Sequence, residues 1–196
     1  RLFKGLNLIP DNYRYKEELI KLYTSQLGGY YEPEREYFVM AGWMPMLMQM
    51  PIAVHELTHA LQDQHYNLDQ FLDPQKLTTD QALAHSAVVE GDATAVMYDY
   101  TFQINQQPRL VDLPDVSTLV FQAVATSSMV AGFKQAPPAM QAFMIFPYTS
   151  GLNFSHTNLK LGGYGALDKI FERVPETTHE ILHPEVYRQG WEFIPL

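Results

Sequence analysis

Apolar side chains recur at helical spacing along most of the chain, which predicts a mostly helical protein. The first helix is predicted from Asp11 to Leu27, where Gly28-Gly29 stops it. Two short strands are predicted next, over residues 30–31 and 37–40, around a turn that contains Pro33. The predicted fold class is therefore α+β, mostly helical, with a small β element near the N-terminus.

The segment Met44 to Met50 is dense in methionine and is predicted to form a loop and a helix start that pack on the core. A second interpretation is that these flexible methionine side chains form an apolar wall beside a substrate groove. Pro51 suits a first helical turn, so a buried helix is predicted over residues 52–66, with Asn67 as its stop.

The pattern continues to be helical after a loop that contains Pro74. A long helix rich in Ala, Val and Met is predicted to begin with a cap at Thr79 or Asp80 and to run to about Ile104. The tail from Val174 has no clear periodicity. The remaining predicted helices span 117–133, 138–146 with an interruption or a kink at 147–151, and 164–173.

Composition narrows the class of protein. A chain of 196 residues suggests one domain, 1–196, that is large enough for a real core. Hydrophobic residues make up 46% and charged residues 18%, as in globular proteins. The net charge is −9 and there is no basic run, so nucleic acid is not an expected partner. No apolar stretch reaches the roughly 18 residues that a membrane span needs.

The chain contains no cysteine, so any zinc site has to be built from His and carboxylate side chains. The first residue is Arg1 and not Met, which indicates a fragment or a processed product. An exported protein is one interpretation of such a start. Composition does not fix the compartment.

The segment His55-Glu56-Leu57-Thr58-His59 has the spacing H-E-x-x-H within the helix predicted over 52–66. At about 3.6 residues per turn, the two histidines lie one turn apart on the same face. Two imidazoles so placed can bind one zinc ion, and Glu56 can take a proton from a water at the metal. The flanking residues are uncharged, so the helix can be buried, and a buried His pair then needs a partner. The alternative is a surface helix with incidental His and Glu.

A catalytic zinc site also needs a third protein ligand and an open position for water. His65 stands where a third His follows in H-E-x-x-H-x-x-G-x-x-H, but Gln62 replaces the glycine that turns that chain back to the metal. The predicted helix therefore continues and points His65 away. Glu90 is the better candidate, because it is a lone carboxylate among apolar neighbours, and Gly91 after it allows another backbone to approach. The alternative for Glu90 is a pair with a Lys, Arg or Tyr elsewhere.

Two supporting roles complete the candidate site. Asp92 is the candidate to accept the free ring N–H of a ligating histidine. An electrophile that stabilises the tetrahedral oxyanion must come from another segment. His183 is the first choice, because Leu182-His183-Pro184 is predicted to be a loop able to fold over the site. The other candidates for this role are Tyr148, His156 and Tyr164.

The H-E-x-x-H segment followed by a downstream Glu resembles the gluzincin branch of the zincin metallopeptidases. More narrowly, residues 55–64 together with Glu90-Gly91-Asp92-Ala93 resemble a group of bacterial H-E-x-x-H proteins. The likeness extends to the turn at 29–33 and to the segment 181–187. It implies a zincin-like fold with a two-helix metal site.

The resemblance also implies a role for each matching residue. His55, His59 and Glu90 would be the zinc ligands and Glu56 the general base. Thermolysin-like gluzincins carry an Asp four residues after the ligand Glu, and here that position is Thr94. Asp92 is therefore the substitute expected to support the histidines.

Together these features predict a zinc-dependent peptidase that acts on a peptide or protein substrate. One alternative is a zinc-binding protein of the same fold without activity, in which the metal holds the fold or a partner surface. Another is a hydrolase of a different class on the same metal site. The intact Glu56 favours an enzyme, because a purely structural zinc site does not need that base.

Overall fold

A computed structural model of the protein describes residues 2–14, 16–18, 20, 29–32, 35, 37–42, 45–128 and 132–190. Most of these residues are helical, and one two-stranded antiparallel sheet lies near the N-terminus. A 3₁₀ turn, Leu110–Asp112, follows the longest helix. In chain order the other elements are α1 Leu2–Gly5, β1 Gly29–Glu32, β2 Tyr37–Met40, α2 Met46–Tyr66, α3 Leu68–Phe71, α4 Thr79–Ile104, α5 Ser117–Ser127, α6 Pro138–Gly162, α7 Tyr164–Glu172, α8 Thr178–Leu182 and α9 Pro184–Gln189.

The predicted strand pair is confirmed. β1 and β2 pair antiparallel, with Gly29 opposite Met40 and Glu32 opposite Tyr37. The hairpin packs on α2, and a Cβ built at Gly29 would lie 3.1 Å from a methyl group of Ile52. Part of the predicted turn lies outside the described residues, as does most of the helix predicted over 11–27. Within that range, residues 16–18 and 20 are helical and residues 11–14 are not.

Helix α2 begins earlier than predicted and is buried on one face only. It starts at Met46, so Pro51 lies inside the helix and not in its first turn. The missing N–H of Pro51 leaves one helical bond unmade, and its would-be acceptor belongs to Leu47, which is exposed to water. Met46 is 83% exposed and Met50 54%, so the prediction that these methionines pack on the core is wrong. The predicted stop at Asn67 is confirmed by its left-handed conformation, with φ 54°.

Helix α4 is the centre of the molecule. It packs most extensively against α6 and next against α2. Its N-cap is Thr78, one residue before the predicted cap, because Thr78 and Gln81 form a reciprocal capping box. Its predicted end at Ile104 is confirmed. The buried side chains around it include Ala84, Ala87, Val88, Leu110, Leu152, Phe154 and Ile181.

Helices α4 and α6 cross in backbone contact at Gly91 and Gly151. A Cβ built on Gly91 would lie 2.4 Å from the Gly151 carbonyl, and one built on Gly151 would lie 2.3 Å from the Ala87 carbonyl oxygen. Gly91 thus admits another backbone, as its sequence context predicts. Of the two predictions for 147–151, an interruption or a kink, the interruption is wrong, because α6 runs unbroken through Pro147 and Gly151. Burial of this helix against α4 compensates for the hydrogen bond that Pro147 cannot make.

The remaining differences from prediction are the end of α5 and the tail of the chain. α5 ends at Ser127, earlier than the predicted Phe133, although residues 129–131 lie outside the description. The tail after Val174 contains the two short helices α8 and α9. At the start of α8 the Glu180 carboxylate accepts hydrogen bonds from the backbone N–H groups of Glu176 and Thr177. Within the part of the chain that the structure describes, no helix has the length and apolar character that crossing a membrane requires.

Candidate metal centre

Two histidines of α2 place their ring nitrogens side by side. His55 Nε2 and His59 Nε2 are 3.0 Å apart, and the two rings are nearly perpendicular. Each side chain is only 12% exposed. The pairing follows from local structure, since residues one helical turn apart share a face.

Helix α4 adds a carboxylate to the same point. Glu90 Oε2 lies 3.1 Å from His55 Nε2 and 3.5 Å from His59 Nε2. Among the residues that the structure describes, these three side chains are the group of His, Asp and Glu whose ligand atoms come close enough to hold one metal ion.

The spacing of the three ligand atoms fits a tetrahedral metal ion. With metal–ligand bonds of about 2.0–2.1 Å, as zinc makes to His nitrogen and carboxylate oxygen, two ligands of a tetrahedron are about 3.3 Å apart. The observed separations are 3.0, 3.1 and 3.5 Å. Two imidazoles and one carboxylate are also a donor set that zinc accepts in proteins. The residues present therefore fit such an ion.

The charges of the three groups are strongly coupled. Burial opposes a charged His59, but the Glu90 carboxylate outweighs burial and raises the pKa of His59 to about 9. Burial likewise opposes a charged Glu90, yet the two imidazoles hold the pKa of this carboxyl below its usual range. Glu90 thus stays ionised, and positive charge is favoured between it and the histidines.

Glu56 lies next to this cluster and is buried, with 7% of its surface exposed. Burial raises the pKa of its carboxyl, while the neighbouring histidines and a hydrogen bond from the backbone of Tyr31 oppose the rise. A carboxyl with a raised pKa is a stronger base toward a nearby water than an ordinary one.

Gln62 is a residue of the site that the sequence interpretation missed. Asp92 is predicted there to support a histidine, but Gln62 Oε1 lies between them, 2.8 Å from His59 Nδ1. Asp92 Oδ2 instead accepts a hydrogen bond from Gln62 Nε2 at 2.8 Å. Burial raises the pKa of Asp92 to about 6. The available signal was spacing, because Gln62 follows His59 by three residues and so shares its face.

Of the four candidates for the oxyanion role, Tyr148 contacts the cluster. Its hydroxyl donates to Glu90 Oε1 at 3.2 Å, and its ring stacks beside that of His55 with centroids 6.3 Å apart. The Gly91–Gly151 crossing brings this part of α6 to Glu90, because Tyr148 is one helical turn before Gly151.

The other three candidates are placed elsewhere. The buried His156 bonds to the backbone oxygen of Leu110, and Tyr164 donates to Asp99. His183 is half-exposed and contacts Glu185 and His179. The helix before it, α8, bonds to Asp80 at the N-terminal end of α4, and Glu90 lies about 15 Å farther along that helix.

His65 is exposed at the end of α2, where its ring contacts Tyr66. It is not part of the metal-ligand group among the described residues. The physical reason is the one the sequence indicates: α2 continues unbroken through Gln62, so the chain does not turn back toward the histidines.

No protein-family model, curated protein or solved structure matches this chain. The likeness to gluzincin metallopeptidases stays a prediction, carried by His55, Glu56, His59 and Glu90.

Proposed function

We propose that this protein is a zinc-dependent peptidase, with His55, His59 and Glu90 as the metal ligands and Glu56 as the general base. The observation that carries the proposal is the convergence of three ligand atoms within 3.0–3.5 Å of one another, beside a buried carboxyl. Three protein ligands are the number that catalytic zinc sites use, because a fourth position is then left for water.

A bound zinc ion supplies Lewis acidity, which lowers the pKa of a water molecule and polarises a substrate carbonyl. Glu56 accepts the proton of the attacking water and then delivers it to the leaving amine. Its burial beside the cluster supports both halves of this role, since the same carboxyl must take the proton and keep it away from bulk water until the amine departs.

Tyr148 is the residue that we assign to the developing oxyanion, in place of His183. Its hydroxyl reaches Glu90, and the side chain is 40% exposed, so it borders the cluster and solvent at once. A hydroxyl donor at that border can turn from the Glu90 carboxylate to the oxygen of a bound substrate, where negative charge develops.

The decisive experiment combines a metal assay with a protease assay. Purified protein should hold about one zinc per chain and should cleave fluorescently labelled casein. Glu56→Gln should keep the zinc and lose at least about 100-fold in activity, which is within the range of general base catalysis. Glu172→Gln, an exposed site on α7, is the matched control and should change neither property.

Two outcomes would refute the proposal. Protein that contains no zinc and takes none up would remove the metal site. Protein that binds zinc but cleaves neither casein nor a mixed peptide library would favour the alternative, a zinc-binding protein of this fold without activity. The bound metal would then serve the fold or a partner surface.

A further inference from the structure

The side chain of Gln62 uses both ends of its amide between α2 and α4. It is buried, with 3% of its surface exposed. Its Oε1 lies 2.8 Å from His59 Nδ1, and its Nε2 donates to the Val89 carbonyl at 3.1 Å and to Asp92 Oδ2 at 2.8 Å. Each polar atom of the amide thus has a partner.

The Val89 carbonyl fixes which way the amide points. A backbone carbonyl accepts hydrogen bonds and cannot donate them, so the end of Gln62 that faces Val89 must be the NH₂ group. This holds whatever the protonation state of Asp92. The opposite end, which faces His59, is therefore the carbonyl oxygen, and it can only accept.

A carbonyl oxygen against His59 Nδ1 requires a proton on that nitrogen. A neutral imidazole with its proton on Nδ1 has its lone pair on Nε2, the atom that faces His55 and Glu90. Among the described residues His55 Nδ1 has no corresponding partner, so this control acts on one histidine of the pair.

We propose that Gln62 is a positioning residue for metal binding: it holds the His59 ring in the tautomer and orientation that offer Nε2 to the ion. Its bond to Val89 also ties α2 to the residue before Glu90, so one amide aligns ligands from both helices. The effect on affinity rests on the proposed function, whereas the orientation of His59 does not.

The test compares Gln62→Met with Gln64→Met, which makes the same change at an exposed position of the same helix. Zinc affinity is measured by competition with a chromogenic chelator. Gln62→Met should lose about 10–100-fold in zinc affinity, the range typical when the hydrogen-bond partner of a ligating His is removed. Gln64→Met should bind zinc like the wild type.

A second measurement uses the wild type alone, first without zinc, and so does not depend on a variant that folds well. Nitrogen-15 NMR of the metal-free wild type should show a proton on His59 Nδ1 that exchanges slowly with water, whether the ring is neutral or charged. In zinc-loaded protein the same proton should remain on Nδ1. The nitrogen-15 chemical shift of Nε2 should change, because that atom binds the metal.

The outcomes separate this inference from the proposed function. If the wild type binds no zinc but the Nδ1 proton of His59 is protected, the proposed function fails, and the orientation of the His59 ring by Gln62 stands. The role of Gln62 is overturned, and the zinc site stands, if zinc binds and Gln62→Met keeps a zinc affinity within about threefold of the wild type. The same conclusion follows if zinc changes the chemical shift of His59 Nδ1 as the metal-binding atom.

Discussion

Glu90 and Asp99, two of the carboxylates of helix α4, lie about two and a half turns apart, and their surroundings differ in kind. Asp99 is buried and receives hydrogen bonds from Arg109, from the backbone N–H of Leu110 at 2.9 Å and from the Tyr164 hydroxyl at 3.0 Å. All of these groups are donors, and Arg109 is a permanent cation.

Glu90 has partners of another type. Its Oε2 faces two imidazole nitrogens and its Oε1 accepts from the Tyr148 hydroxyl. An imidazole nitrogen can donate or accept, and its positive charge is lost when the proton leaves. A metal ion can therefore replace the protons around Glu90, whereas nothing around Asp99 can be exchanged. The contrast identifies Asp99 as a structural ion pair and supports Glu90 as a ligand.

The sharpest test of this contrast is the metal itself. Glu90→Ala should weaken zinc binding by more than about 100-fold, which exceeds the usual effect of a residue that only contacts a ligand. Asp99→Asn should leave the affinity unchanged, because Asp99 lies about two and a half turns from Glu90 along α4 and bonds to Arg109 and Tyr164. Chelator competition on both variants measures this. Equal losses in the two would erase the distinction.

For the free energy of unfolding, in contrast to zinc affinity, substitution of Asp99 should have the larger effect and substitution of Glu90 the smaller one. Asp99→Ala leaves the Leu110 N–H and the Tyr164 hydroxyl without their acceptor, and it also breaks the pair with Arg109. We expect a loss of about 3 kcal/mol in unfolding free energy, at the low end for broken buried pairs because Arg109 is half-exposed. Denaturant titration of metal-free protein is the measurement. Glu90→Gln, as the comparison variant, should change this value less.

The third prediction concerns the crossing of α4 and α6 at Gly91 and Gly151, which lies beside Glu90 and not beside Asp99. Gly91→Ala would place a methyl group 2.4 Å from the Gly151 backbone, so α6 must move away from Glu90. A loss of about 1–3 kcal/mol is expected, as for other overpacked sites. Gly165→Ala on α7 is the control, because its new Cβ would meet nothing within 4 Å. A fully stable Gly91→Ala protein would contradict the backbone contact.

The smallest expected effect is on how the free energy of unfolding changes at acidic pH. Hydrogen bonds from Arg109 hold the pKa of Asp99 below its ordinary value of 3.8. The stabilisation is thus complete above that value and is lost as the pH falls through the lower folded pKa, with a slope of at most about 1.4 kcal/mol per pH unit. Asp99→Asn should flatten this part of the stability curve. Denaturant midpoints measured from pH 5 to pH 2 would contradict the prediction if both proteins fell in parallel.

Local signals in the sequence were sufficient for several elements. The strand pair, the stop of α2 at Asn67 and the end of α4 at Ile104 follow from turn residues and periodicity, and the structure confirms them. An interruption of the helix at Pro147, one of the two predictions there, is wrong for a reason outside the local sequence, since burial of α6 against α4 outweighs one lost hydrogen bond. The exposed Met46 and Met50 show the same limit, because composition does not tell which face is covered.

For the candidate site, the sequence by itself determined the part that lies within the single helix α2. Spacing placed His55 and His59 on one face, and Gln62 in place of a glycine let α2 continue to Tyr66. Only the tertiary structure brought Glu90, Gln62 and Tyr148 into one arrangement, because the partners of these contacts are 27 to 58 residues apart in the chain. Periodicity reports which face of a helix is apolar; the Gly91–Gly151 contact decided where two such faces meet.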